Sequence, residues 1–299
     1  MRELSHALVL GGSGFIGSWL VERLRDDGVE VTVLDHAVDV EVTRESVEEA
    51  LASAPVDTVF HLANAALVPP SVQRPTEDLE RNVVPTLAAL EGLRHADSGA
   101  VLVFVSSAAV YGDARYHPMD EDHPLEPKSP YGVSKLAAEG YVRLYARLHG
   151  VRGLSVRPFS VYGPGQRKLV VYDLLTRLHA GERPLRLLGS PDVSRDFVFV
   201  QDAARGLVTL ARGAAAGGEA YNLCSGRSTS LHELATTLVA VSGMAADVEF
   251  TGAVRPGDPL HWTGDPRRAG ALGVRCDTPL VEGLRRTAAW FQGQAGASG

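Results

Sequence analysis

The chain has 299 residues, of which 45% are hydrophobic and 22% are charged, a composition typical of a soluble globular protein with a large core. The net charge of −7 and the scattered basic residues argue against a nucleic-acid or anionic-membrane partner. Its two cysteines, Cys224 and Cys276, provide neither a disulfide framework nor metal-ligand spacing, so we predict no metal site. The sequence also lacks the pattern of a signal peptide and any run approaching 18 apolar residues, so we expect a cytoplasmic location with no membrane span.

The first half of the sequence alternates between short apolar runs and amphipathic segments. The apolar runs predict strands at 6–10, 29–35, 57–62, 100–106 and 153–157. The segments between them predict helices at 14–25, 43–52, 77–95 and 129–149. This alternation favours an α/β fold with a parallel sheet covered by helices on both faces.

After residue 163 the segments become shorter and are interrupted by Gly, Pro and Arg. We expect a smaller, interleaved C-terminal lobe that closes over the carboxyl edge of the sheet, where open parallel sheets bind their ligands. The predicted division gives a larger domain at 1–163, to which 190–222 returns. The smaller lobe would contain 164–189 and 223–299. The acidic run at 120–122 is interpreted as a solvated loop.

A glycine-rich turn follows the first predicted strand and leads into a helix. Gly11, Gly14 and Gly17 fit the pattern of a dinucleotide-binding turn, with Phe15 and Ile16 between the last two. Glycines there allow a tight turn, a close approach of backbone N–H groups to pyrophosphate, and close packing of helix on strand. The N-terminus of the helix adds partial positive charge beneath the phosphates.

An acidic residue, Asp35, ends the second predicted strand. A carboxylate at this position binds both ribose hydroxyls and repels a 2′-phosphate. The next residue is His36, with no adjacent arginine to pair such a phosphate, so we predict NAD rather than NADP as cofactor. Asp39 and Val40 then lie where the adenine is expected.

Tyr131 and Lys135 lie four residues apart and therefore on one face of the predicted helix. Free tyrosine has a pKa of about 10 and is a poor base at neutral pH. A nearby ammonium favours the phenolate and lowers that pKa. The chain has only three lysines, which makes a chance pairing less expected. The pair predicts a base that removes the proton of an alcohol.

From Gly11 to about Trp290 the chain resembles the extended short-chain dehydrogenases/reductases that modify nucleotide sugars, in particular the UDP-galactose 4-epimerase-like branch. The resemblance implies a Rossmann-type doubly wound sheet with a smaller, interleaved C-terminal substrate-binding lobe. It also implies a nucleotide-diphosphate sugar as substrate and a homodimer formed through two helices of each chain. The matching motifs are GGSGFIG at 11–17, HLA at 61–63, RNV at 81–83, SSAAVYG at 106–112, YGVSK at 131–135, RPFSVYGP at 157–164, RDF at 195–197 and RPGD at 255–258.

The same resemblance implies roles for individual residues. Tyr131 would be the catalytic base, Lys135 would hold the nicotinamide ribose and lower the pKa of the phenol, and Ser107 would hydrogen-bond the reacting sugar hydroxyl. The implied NAD-binding positions are Gly11, Gly14, Phe15, Ile16, Asp35, His36, Asp39, Val40, Leu62, Ala63, Tyr131, Lys135 and Pro158. The implied substrate-binding positions are Ser107, Ser160, Lys168, Arg195, Arg255 and Asp258.

The chain also departs from the family pattern. Ala108 and Ala109 stand where dehydratases and decarboxylases of the family carry acids, and a methyl group can neither protonate a leaving hydroxyl nor take a proton from carbon. Ser160 replaces an asparagine that holds the diphosphate, and 67–70 lacks the polar residues of many relatives. Lys168 fits an acidic sugar or a phosphate, and it is equally typical of an exposed loop.

Together these features predict an NAD-dependent epimerase of a nucleotide-activated sugar that acts at C4 through a transient 4-keto intermediate. A nucleotide-sugar 4-ketoreductase or dehydrogenase with net hydride transfer would use the same residues, and this alternative stays open. A non-catalytic NAD-binding protein is disfavoured by the Tyr131 and Lys135 pair. The sequence leaves the nucleobase and the sugar undetermined.

Overall fold

A computed structural model describes residues 2–35, 41–64, 68–252 and 260–297. The strands in these ranges, in chain order, are β1 (His6–Leu10), β2 (Glu30–Leu34), β3 (Thr58–His61), β4 (Val101–Val105), β5 (Gly153–Pro158), β6 (Ser160–Tyr162), β7 (Leu185–Leu187), β8 (Ser194–Arg195), β9 (Phe197–Phe199), β10 (Gly217–Leu223), β11 (Thr229–Ser230) and β12 (Val248–Phe250). The helices are α1 (Phe15–Asp26), α2 (Arg44–Ser53), α3 (Val68–Gln73), α4 (Pro75–His95), α5 (Pro130–His149), α6 (Leu169–His179), α7 (Val200–Gly213), α8 (Leu231–Ser242), α9 (Arg267–Gly270) and α10 (Leu280–Ala297).

The central sheet has six parallel strands in the order β10-β5-β4-β3-β1-β2. The chain moves outward from β1 to β2 on one side and from β3 to β10 on the other. The strand order therefore reverses between β1 and β3. In an open α/β sheet the crevice at such a reversal, outside the carboxyl ends of the strands, is where ligands bind. The fold thus places the candidate site at this edge.

Two apolar cores cover the faces of the sheet, and β1 contributes to both because successive side chains of a strand point to opposite faces. Ala7 and Val9 pack in the core that includes residues of α1 and α7, such as Leu20 and Leu207. Leu8 and Leu10 pack in the opposite core with residues of α2, α4 and α5. This burial on both faces explains why the sheet strands read as continuous apolar runs, as predicted.

A third apolar cluster lies in the C-terminal half, where residues of α6, α8 and α10 pack against Phe197 and Phe199. The parallel α/β sheet was predicted and is confirmed. The strands and helices predicted in the first half agree with the observed ranges to within about two residues, whereas α3 was not predicted. The division into a domain at 1–163 and a smaller lobe stays a prediction. The acidic run at 120–122 lies in a loop and Asp122 is exposed, as expected, but the Glu121 side chain is buried. Its carboxylate accepts the Asn222 N–H at 2.8 Å and lies 3.3 Å from the Arg268 guanidinium.

Within the described ranges, no helix has both the length and the apolar character that crossing a bilayer requires.

Candidate active site

The glycine turn after β1 passes so close to neighbouring backbone that side chains would not fit. Gly11 has a φ of 86°, and a Cβ added to it would lie 2.5 Å from the backbone nitrogen of Ala63. A Cβ on Gly17, in the first turn of α1, would lie 2.2 Å from the carbonyl oxygen of Gly11. The turn, with Gly14 just before Phe15 and Ile16, brings bare backbone to the N-terminus of α1. This backbone cradle fits a dinucleotide pyrophosphate.

The other described positions of the predicted cofactor site meet at the same edge. The Ser13 N–H in the glycine turn donates to Asp35 Oδ2 at 2.8 Å. The Leu62 N–H donates to the carbonyl of Leu10 at 2.8 Å, which places Leu62 and Ala63 directly after β3 and beside the turn. Pro158 ends β5 at the same edge of the sheet. His36, Asp39 and Val40 lie outside the described residues.

The first turn of α5, which carries the predicted base, is held in place by three contacts. The Ser129 hydroxyl caps the helix by accepting the Gly132 N–H at 3.2 Å, and Pro130 suits the first helical position. The Tyr131 N–H donates to the Ser71 hydroxyl at 3.2 Å. Gly132 lets the helix approach the chain after β4, since a Cβ there would lie 2.6 Å from the Ala109 carbonyl oxygen.

This close approach brings Tyr131 to Ser107. The Ser107 hydroxyl is close enough to act on the Tyr131 phenol, and its oxygen accepts the Ala109 N–H at 3.1 Å. Burial raises the pKa of Tyr131 to about 12, while the Ser107 hydroxyl opposes this rise. The predicted lowering of this pKa by Lys135 is not found: desolvation of the buried phenol is the largest effect on it, and the charge of Asp78 adds to the rise.

Lys135 is fully buried one helical turn after Tyr131. Its ammonium donates to the Val105 carbonyl at 2.8 Å and lies 4.8 Å from the centre of the Phe104 ring. Burial lowers the pKa of this lysine to about 7, against the opposing effect of the carboxylates of Glu139 and Asp78. The ammonium is therefore oriented toward the carboxyl end of β4, next to Ser107.

The lowered pKa of Lys135 predicts a pH dependence of stability. Because the pKa falls from 10.5 to about 7 on folding, the unfolded chain binds one more proton than the folded chain between these values. The free energy of unfolding should therefore rise with pH across this window, by up to about 1.4 kcal/mol per pH unit. Urea unfolding between pH 7 and 9.5 measures the slope. Lys135→Met should reduce it and Lys128→Met, at an exposed lysine, should not; equal slopes in all three proteins would contradict this expectation.

A chain of buried polar side chains lies behind Lys135. Asp78 on α4 accepts a hydrogen bond from the Ser134 hydroxyl at 2.8 Å, and Asn82 donates to the Asp78 side chain at 3.2 Å. Thr86 donates to the Asn82 carbonyl and is 3.1 Å from His61 Nε2. His61 is fully buried, as expected for a core histidine, and its pKa falls to about 3 because of burial. The contact between Asp78 and Ser134 was not predicted. A serine before Lys135 is too common a feature to indicate such a contact.

The predicted substrate residues separate into two groups. Ser160, at the start of β6, donates its N–H to the Asp196 carbonyl at 2.9 Å and therefore lies next to Arg195. The Arg195 guanidinium donates to the Leu260 carbonyl at 3.2 Å and lies 5.7 Å from the Trp262 ring. Lys168 stands apart: it is exposed at the N-cap of α6, and within the described ranges its ammonium has no hydrogen-bond partner. Arg255 and Asp258 lie outside the described residues.

Comparison with known proteins identifies the family. The family model described as the NAD dependent epimerase/dehydratase family matches residues 7–224. The chain belongs to the NAD-dependent epimerase/dehydratase family. As in the family description, its cofactor is NAD, in agreement with the glycine cradle and with the position of Asp35. The Rossmann-type fold and the resemblance to extended short-chain dehydrogenases/reductases are both confirmed.

Among the relatives of this epimerase/dehydratase family member are two epimerases and a reductase. UDP-glucose 4-epimerase of Mycolicibacterium smegmatis is 34% identical, over 96% of this chain and 99% of that protein. The structure of UDP-glucose 4-epimerase from Thermus thermophilus in complex with NAD matches with a TM-score of 0.87 at 31% identity, over 96% of this chain and 99% of that chain. GDP-6-deoxy-D-mannose reductase of Pseudomonas aeruginosa is 32% identical, over 80% of this chain and 81% of that protein.

Proposed function

We propose that this protein is an NAD-dependent epimerase of a nucleotide-activated sugar, acting at C4 through a transient 4-keto intermediate. The observation that carries the proposal is the buried Tyr131 phenol beside the Ser107 hydroxyl, with Lys135 one turn further along the same helix. The similarity to UDP-glucose 4-epimerases over nearly the whole chain supports it.

In this proposal the chain moves a proton at one sugar oxygen. NAD, when bound, supplies a reversible hydride acceptor whose positive charge favours a nearby phenolate. Ser107 hydrogen-bonds the C4 hydroxyl, and Tyr131 takes the proton of that hydroxyl, directly or through the serine oxygen. Lys135 adds positive charge beside the phenol and binds the ribose next to the nicotinamide. Tyr131 returns the proton once the sugar presents its other face, so the reaction has no net redox change.

The residues that follow Ser107 support epimerisation over dehydration. Ala108 and Ala109 are both buried in the 3₁₀ turn that begins there. Neither side chain can donate a proton to a leaving hydroxyl or remove a proton from carbon. A dehydratase or decarboxylase would need such a group close to the sugar ring.

For the substrate we propose that the diphosphate is bound by Arg195 and Arg255, since guanidinium groups match phosphate oxygens in pairs. Ser160 would donate its hydroxyl at the same place, and Asp258 would pair with a ribose hydroxyl of the sugar nucleotide. Lys168 is the least supported member of this set because it is exposed and stands apart from Ser160 and Arg195. A cytoplasmic location is part of the proposal.

The function is tested by incubating the protein with UDP-glucose, UDP-galactose and dTDP-, GDP- and ADP-sugars, with catalytic NAD and no other oxidant or reductant. Multiple turnovers to an epimer, with steady absorbance at 340 nm, would support the proposal. The runner-up is a ketoreductase, which the similarity to GDP-6-deoxy-D-mannose reductase favours. Stoichiometric consumption of NADH with a 4-keto sugar nucleotide, and no epimer formed, would establish that alternative.

We also propose a homodimer formed by α4 and α5. Apolar side chains remain exposed along α5 at helical spacing, at Tyr141, Leu144 and Leu148, and α4 exposes Leu79 and Val84. Two copies of this helix pair would bury these side chains against each other. Among the described helices, no other pair of long, directly packed helices exposes such a row of apolar side chains.

The dimer leads to a simple expectation for two matched variants. Leu144→Arg should give a monomer, because it places a charge in the proposed apolar interface. Leu188→Arg, at a similarly exposed leucine away from α4 and α5, should keep the dimer. Light scattering coupled to size-exclusion chromatography measures both masses. A dimeric Leu144→Arg protein would place the interface elsewhere.

A further inference from the structure

Asp78 is a buried carboxylate to which the proposed mechanism gives no role. Its side chain lies on α4 with 4% of its surface exposed. The carboxylate accepts hydrogen bonds from Ser134 at 2.8 Å and from Asn82 at 3.2 Å. Within the described part of the chain, no lysine, arginine or histidine nitrogen lies within 4 Å of it. Burial raises the pKa of this carboxylate, and a positive charge nearby favours its ionised form.

The charged groups around Lys135 indicate that its ammonium is this positive charge. Asp78 and Glu139 are the two carboxylates whose fields act on the buried ammonium of Lys135. Glu139 is already neutralised, because Arg157 forms a two-pronged ion pair with it at 2.7 and 2.9 Å, with the two side chains 3% and 7% exposed. His61 on β3 also faces Lys135 but is held neutral by burial. Glu139 has the larger effect on Lys135, but its own charge is balanced by Arg157, which leaves Asp78 as the carboxylate without a cation of its own.

The hydrogen bond to Ser134 connects this carboxylate to the catalytic helix. Ser134 lies directly before Lys135 and three residues after Tyr131, so Asp78 is attached to the turn of α5 that carries both groups. Because Asp78 belongs to α4, it also ties the two helices together at this turn. A change at Asp78 therefore acts on both catalytic side chains without touching either of them.

We propose that Asp78 is a positioning residue whose carboxylate is the counter-charge that favours the ammonium form of Lys135. The proposal rests on the proposed function, in which Tyr131 and Lys135 are the catalytic pair. The negative charge of Asp78 raises the pKa of Lys135, and it also raises the pKa of Tyr131 by disfavouring the phenolate. Asp78 thereby sets the pH range in which the lysine is charged and the tyrosine can ionise.

The direct test is the pKa of Lys135 in Asp78→Asn, which removes the charge and keeps the shape. The chain has three lysines, so ¹³Cε-lysine NMR gives three signals, and Lys128→Arg and Lys168→Arg assign the two exposed ones. With NAD at saturation, Asp78→Asn should lower the pKa of Lys135 by about one unit, a tenfold loss of proton affinity. Ser134→Ala keeps the carboxylate and removes one of its hydrogen bonds, so the pKa of Lys135 should change much less. An unchanged Lys135 pKa in Asp78→Asn would overturn the proposal.

The kinetic test uses the pH profile of kcat/KM. Both limbs of the profile should move to lower pH in Asp78→Asn, because the pKa values of Tyr131 and Lys135 fall together. A purely structural role would lower kcat/KM without moving the limbs, and that result would contradict the proposal. The NMR titration needs no substrate, so failure of the proposed function would leave the counter-charge of Asp78 separately testable.

A double variant covers the case in which Asp78→Asn alone does not fold. If the two charges compensate each other, Asp78→Asn with Lys135→Met should unfold at a higher urea concentration than Asp78→Asn alone. Recovery of folding in the double variant would support the proposal. A double variant no more stable than Asp78→Asn, with Lys135→Met itself folded, would overturn it.

Discussion

Tyr131→Phe should lower kcat by about 10³-fold while leaving NAD binding almost unchanged, since general acid–base catalysis by one side chain contributes about 10²–10⁴-fold. The phenylalanine ring fills the same buried space, so the fold and the cofactor site stay intact. The change removes only the phenol oxygen, which lies beside the Ser107 hydroxyl. Turnover with a saturating sugar nucleotide, together with NAD affinity by calorimetry, measures the two properties separately.

The matched control is Tyr141→Phe, on the same helix. Tyr141 is 36% exposed and lies away from Ser107, so removing its hydroxyl should leave kcat unchanged. If Tyr131→Phe retained more than about a tenth of the wild-type kcat, Tyr131 would not be the base. Loss of NAD binding in the same variant would show that its effect is not on proton transfer.

Gly17→Ala should weaken NAD binding and reduce the free energy of unfolding by about 1–3 kcal/mol, the usual cost of forcing extra volume into a packed site. The added methyl carbon would lie 2.2 Å from the Gly11 carbonyl oxygen, so the glycine turn and α1 must move apart. That movement displaces the backbone N–H groups and the helix N-terminus that the pyrophosphate requires. Urea unfolding and NAD titration measure the two effects.

Gly293→Ala provides the comparison for this substitution. Gly293 lies within α10, and, apart from its chain neighbours and the nearby backbone of this helix, no described atom lies within 4 Å of the place where its Cβ would be. Alanine is favoured over glycine in a helix by about 1 kcal/mol, so this variant should be at least as stable as wild type and should bind NAD normally. Equal NAD affinity in both variants would contradict the role of the tight turn.

The strands of the sheet could be predicted where both of their faces are buried. In β1 and β4 every residue is buried, so the pattern is a continuous apolar run that the sequence shows directly. β10 was not predicted as a strand, because it begins with Gly217 and Gly218 and alternates between exposed and half-buried residues before its last three positions. An edge strand of this kind lacks the apolar run, and its pairing with β5 depends on the whole intervening chain.

The candidate site could likewise be predicted only in part. The spacing of Tyr131 and Lys135 predicts that they share one face of a helix, and in the structure both lie on α5 one turn apart. The spacing carries no information on whether the two side chains are buried. For this reason the direction of the Tyr131 pKa shift was not predictable. The pairing of Asp78 with Ser134 joins residues 56 positions apart. Ser134 lies in the YGVSK motif, but the motif does not show which residue its hydroxyl contacts, and Asp78 belongs to none of the matching motifs. Contacts of this kind follow from how α4 packs on α5, which the sequence alone does not give.

The late position of β10 in the chain has a consequence for biosynthesis. Until residue 223 has left the ribosome, β5 has no neighbour on its outer side and exposes a row of unpaired N–H and C=O groups. A nascent or truncated chain that ends before Gly217 would therefore expose an unpaired edge strand that can pair with another chain. Such fragments should aggregate by pairing with one another, and a shortened version intended for expression should retain the chain through Leu223.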